Sequence, residues 1–68
     1  MYAGLARLIT REMKDAGFEA TQMGSGVIVS LNRQLSITEV KEALNVIYPQ
    51  IEFKITKLNF NLVMIEEE

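Results

Sequence analysis

The chain contains no cysteine and no histidine. The first absence excludes disulfides. The two together remove thiol nucleophiles, the commonest general base and the usual ligands of transition-metal sites. Aromatic residues are few, two tyrosines and three phenylalanines. They are not interleaved with basic residues as platforms for stacking single-stranded nucleic acid are, so Phe18, Phe53 and Phe60 read as core residues. No apolar run approaches the ~20 residues that span a bilayer. The longest are Val27-Ile28-Val29 and Leu62-Val63-Met64-Ile65. The segment Met1 to Arg7 lacks a basic stretch followed by an apolar run, so it does not read as a secretory leader. A cytoplasmic protein with no membrane partner is expected.

Sixty-eight residues make a single domain, 1–68. A chain of this length buries only about 60% of the surface it exposes when unfolded, and small domains usually compensate with disulfides or a metal. Here stability must come from the 49% hydrophobic content, from strong local signals or from oligomerisation.

The net charge is −2, unevenly spread. Residues 1–34 carry Arg7, Arg11, Lys14 and Arg33 against Glu12, Asp15 and Glu19. Residues 35–68 carry Lys41, Lys54 and Lys57 against Glu39, Glu42, Glu52 and the terminal Glu66-Glu67-Glu68. An acidic whole argues against strong non-specific nucleic-acid binding, which needs several cationic phosphate contacts.

What is present is one pattern, run twice. From Ala3 to Ala16 the apolar residues Leu5, Leu8, Ile9, Met13 and Ala16 follow helical spacing. Gly17 is the expected stop, with Phe18 placed to pack on Met13 in a Schellman ending. Phe18–Met23 and Val27–Leu31 alternate and are joined by Gly24-Ser25-Gly26, which reads as a β-hairpin. The second unit begins at Ser36-Ile37-Thr38-Glu39, the signature of a capping box, with Leu35 and Val40 as a hydrophobic staple. Its helix presents Ile37, Val40, Leu44 and Ile47, with Ala43 beside them, and ends at Tyr48-Pro49. Ile51–Thr56 and Phe60–Ile65 then form a second hairpin through Lys57-Leu58-Asn59, with room for a bulge. The units run from about 3 to 31 and 36 to 65, followed by an acidic tail, 66–68. Their strands match at an offset of 33, which pairs Val27 with Phe60 and Leu31 with Met64. The expected architecture is α+β: a two-layer sandwich in αββαββ order, with a four-stranded antiparallel sheet and two helices on one face.

The residues left over hold no recognisable chemistry. Met23-Gly24-Ser25-Gly26 joins two strands and no lysine follows, so it is a turn and not a phosphate loop. The acids lie singly on solvent faces, apart from Glu39 in the cap and the tail, whose weak pull on a divalent cation is outweighed by its character as a solvated end. No catalytic residue, cofactor or metal is expected, and the protein is expected not to be an enzyme.

Two surfaces remain. Arg7, Arg11 and Lys14, at i, i+4 and i+7, form one stripe on the first helix, opposite Leu5, Ile9 and Met13. It could be a solvated face, with Arg11 and Asp15 paired at i, i+4, or an electrostatic contact for phosphates or an acidic partner. The second surface is the outer sheet face. With Val27, Val29 and Leu31 inward, Ile28 and Ser30 point outward. With Phe60, Leu62 and Met64 inward, Val63 and Ile65 point outward, and Met23 joins them beside Thr21, Lys54 and Thr56. Ile28, Val63, Ile65 and Met23 are therefore the expected protein interface. Exposed edge strands offer a further route, by strand addition. The reading is a small regulator, inhibitor or accessory subunit, of a kind that phages also encode, acting by protein contact or self-association as a homodimer. A nucleic-acid-associated protein using the basic helix face is the alternative.

Overall fold

A computed structural model describes residues 1–68. The elements are α1 (Ala3–Asp15), β1 (Glu19–Met23), β2 (Gly26–Ser30), α2 (Ile37–Ile47), β3 (Phe53–Asn59) and β4 (Leu62–Glu67). The four strands form one antiparallel sheet in the order β1-β2-β4-β3, and both helices cover the same face. This is the expected α+β, αββαββ architecture. The order follows from joining two hairpins along their second strands, so β2 and β4 are central and β1 and β3 are edges. No helix is long and apolar enough to cross a membrane.

Four local signals act where the sequence places them, but the connection of the second hairpin does not: Lys57-Leu58-Asn59 belong to β3, and the turn is at Phe60-Asn61. Gly17 has φ +95, the Phe18 amide donates to the Met13 carbonyl and the Gly17 amide to the Lys14 carbonyl, both at 3.0 Å. These are the two bonds of a Schellman ending, and Phe18 and Met13 both enter the core. Gly24 has φ +59 while Ser25 does not enter the left-handed region, which fits a type II′ turn between Met23 and Gly26. At Ser36 the helix starts as expected, but the bonding differs from a capping box. The Ser36 hydroxyl donates to the Glu39 carboxylate at 2.9 Å and does not cap a backbone amide. α2 ends at Ile47, ahead of Tyr48-Pro49.

α1 is rotated relative to its expected face. Ala6, Ile9, Thr10 and Met13 are buried, while Leu8 and Ala16 are exposed. Two small side chains, Ala6 and Thr10, let α1 settle close against β1 and β2. The Thr10 hydroxyl is satisfied inside the helix by donating to the Ala6 carbonyl at 2.8 Å.

The larger correction lies in β4. Val63 and Ile65 are fully buried and face the helices, whereas Leu62 and Met64 face outward and Phe60, 86% exposed, sits in the turn. The registers explain why. The β1–β2 pairs Ala20↔Val29 and Gln22↔Val27 have their counterparts in the β3–β4 pairs Ile55↔Ile65 and Lys57↔Val63. The central pairs Val27↔Ile65 and Val29↔Val63 exchange with one another under the same operation. The two halves are thus related by a local twofold through the sheet, with Ala6 and Thr10 of α1 corresponding to Val40 and Leu44 of α2. The offset between halves is not constant. It grows by one residue from the helices to the first strands, and by one more across the β-bulge between Lys57 and Asn59. A fixed offset of 33 keeps the right parity for β1 and β3 and the wrong parity for β2 and β4. A one-residue slip turns every side chain of a strand to the other face.

Tyr48 closes the helix layer. Its ring packs edge-on against Phe53 at 6.0 Å, and its hydroxyl is buried without a hydrogen-bond partner. Burial pushes its phenol above the ordinary 10.0, the charge of Glu12 adds to this, and Arg11 opposes it. In alkali the unfolded chain therefore loses the Tyr48 proton before the folded one, so stability falls as pH rises past the unfolded value. Tyr48→Phe should remove that part of the alkaline loss. At neutral pH it should leave stability unchanged or raise it by about 1 kcal/mol, because an unsatisfied buried hydroxyl is removed. Urea titrations of both proteins at neutral and alkaline pH check this.

Candidate binding surfaces

The outer face of the sheet carries no helix. The register lays its side chains out in rows. Thr21, Ile28, Met64 and Thr56 run across the middle, and Glu19, Ser30, Leu62 and Asn59 form the row below. Above them lie Met23, Gly26, Glu66 and Lys54, with Glu66 directly opposite Lys54. The apolar part is contiguous: Ile28 and Met64 are cross-strand neighbours, Leu62 adjoins them on β4, and Met23, 55% exposed, flanks them at the β1 edge. Gly26 leaves room for Met64. A Cβ at this position would stand 2.8 Å from Met64 Sδ and 3.3 Å from the Ile65 carbonyl oxygen, so Met64 lies over the bare glycine backbone.

Of the four expected interface residues, Ile28 and Met23 are on this face. Val63 and Ile65 are not, being held in the core among Val27, Val29 and the helices. Leu62 and Met64 take their place. The apolar run Leu62–Ile65 offers two equally hydrophobic phases, so alternation alone could not choose between them. The useful signal was the pair of asparagines around Phe60. The Asn59 side chain accepts from the Asn61 amide at 2.9 Å, a local turn that starts β4 at Leu62.

The basic stripe is a physical cluster. Arg7, Arg11 and Lys14 are exposed, and none of them enters a side-chain hydrogen bond. Together with Thr10, Thr21 and Gln22 they line a depression of about 350 Å³ where α1 overhangs the free edge of β1. Sequence reasoning missed Thr21 and Gln22, because only the tertiary fold brings β1 beside this flank. The Gln22 amide donates to the carbonyls of Ala3 and Gly24, tying the end of β1 to the start of α1.

A further concavity, about 400 Å³, lies between α2 and the end of α1. It is floored by Phe18, Leu35, Ala43 and Ile47, with Glu39, Glu42 and the exposed Val46 at its rim. No family model, curated protein or solved structure matches the chain. Its surfaces are therefore read on their own chemistry. The open sheet face can exclude water against another apolar surface, and the α1–β1 depression can hold negative charge.

Proposed function

We propose that the protein is a small non-enzymatic binding module that acts by protein–protein contact through the outer face of its sheet, with a second copy of the chain as the occupant. The observation that carries this reading is the contiguous patch of Met23, Ile28, Leu62 and Met64 on the uncovered face. A single-domain chain of this size gains from burying such a patch. An isologous contact must be self-complementary. The row Thr21–Ile28–Met64–Thr56 meets that condition. Turned about an axis along the strands, a second copy lays its Met64 over Ile28 and threonine over threonine. Methionine side chains adapt readily to such a surface. The charged pair Lys54 and Glu66 lies in the next row, where the same rotation sets Lys54 over Met23 of the second copy, its aliphatic stem against the methionine and its ammonium at the rim. The action is steric, as in a regulator, inhibitor or accessory subunit, and the lack of cysteine supports a reducing, cytoplasmic setting.

Light scattering over a concentration series tests this. The expected result is a dimer that Ile28→Glu converts to a folded monomer, weakening association by roughly a hundredfold or more, since a carboxylate is then buried without a partner. A monomer at every concentration would overturn the self-association reading.

A further inference from the structure

We propose that the free edge of β1 and the Arg7–Arg11–Lys14 flank of α1 form one binding site for an extended acidic peptide segment, which adds to the sheet as a fifth strand. The site meets the outer sheet face only at Thr21, the end of its middle row. β1 ends the strand order, so one side of its backbone has no partner within the chain. Thr21 and Gln22 are consecutive and point to opposite faces of the sheet, yet both line the depression under α1. The depression therefore crosses the strand edge itself, and an occupant meets backbone groups as well as side chains.

The charge of the depression is all of one sign, and Glu19, the one acid of β1, lies outside its lining on the outer face of the sheet. Three cations and three neutral polar residues, Thr10, Thr21 and Gln22, line the depression, with no acid among them. The spacing suits an extended partner. Residues i and i+4 on a helix are ~6 Å apart along its axis. Alternate residues of a strand are ~6.6 Å apart. Acidic side chains at two alternate positions of an added strand thus keep step with Arg7 and Arg11, and Lys14 follows ~4.5 Å further along the helix, within reach of the next one through its flexible side chain. The other edge is less suitable: β3 is bulged between Lys57 and Asn59, a feature that blunts strand addition. A peptide fits better than a nucleic acid. The protein is acidic overall, no aromatic side chain lines the depression for base stacking, and a strand edge pairs with peptide backbone.

The test uses the full chain with a labelled peptide alternating glutamate and threonine, its lysine–threonine counterpart, and oligothymidylate. Fluorescence anisotropy measures binding, and NMR hydrogen exchange follows the β1 amides. The expected result is salt-dependent binding of the acidic peptide alone, with new protection of amides within Glu19–Met23. Arg7→Glu combined with Arg11→Glu should weaken binding by about tenfold or more, and both sites are exposed, so the amide spectrum should retain the native fold. Binding without new β1 protection would overturn the strand-addition proposal, as would binding unchanged in the double variant. Tighter binding of oligothymidylate at the same residues would replace the peptide with nucleic acid.

Discussion

Ile65→Glu is expected to unfold the protein, while Met64→Glu, one residue away, should leave it folded. Ile65 is fully buried, opposite Val27 on one side and Ile55 on the other. A carboxylate there has no cationic partner in the core, which consists of apolar residues together with the internally bonded Thr10. Burying such a group without compensation costs several kcal/mol, of order 4 or more. The whole domain is expected to be stable by only about 3–10 kcal/mol, from ~0.05–0.15 kcal/mol per residue. Met64 lies on the outer face, where a carboxylate reaches water in the separated subunit. Its loss removes apolar contact over Gly26 and should cost about 1 kcal/mol. Circular dichroism during thermal melting separates the two variants. If Met64→Glu unfolds and Ile65→Glu does not, β4 has the opposite phase and the outer-face reading fails with it.

Phe18→Ala should lower stability by about 3–5 kcal/mol, the range for emptying a buried aromatic site, and Phe60→Ala by no more than ~0.5 kcal/mol. The two residues share a side chain and differ only in position. Phe18 follows the Gly17 helix stop and is 6% exposed, while Phe60 sits at the tip of the second hairpin and is 86% exposed. Phe18 also joins the two layers, since it lies beside Leu35 and Ala43 at the floor of the groove along α2. The Schellman bond from its amide to Met13 does not depend on the ring, so the loss measures packing alone. Gly17→Ala is an independent check on the same ending. A Cβ at Gly17 meets nothing within 4 Å, so its expected cost of about 1–2 kcal/mol is purely that of holding a left-handed residue. Urea denaturation of the three variants measures these values.

The sequence by itself determined the parts of this protein that rest on local chemistry. The stop at Gly17, the start at Ser36, the turn at Gly24-Ser25 and the end at Tyr48-Pro49 are each settled by one or two residues whose backbone preferences act over a single turn of chain. The α+β class followed from the periodicities between those points. The Arg7–Arg11–Lys14 stripe followed from helical geometry alone.

Only the tertiary structure decided which face each side chain of β4 presents, and therefore which residues form the outer patch. Leu62-Val63-Met64-Ile65 is apolar at every position, so either phase buries hydrocarbon. The choice falls to pairing with Val27 and Val29 and to the extra residue in the β3 bulge. Strand order, and with it the meeting of Thr21 and Gln22 with the basic flank of α1, has the same origin. Register and neighbourhood are long-range properties. They are selected by how a whole strand buries its side chains against others, and no short stretch of this chain contains that information.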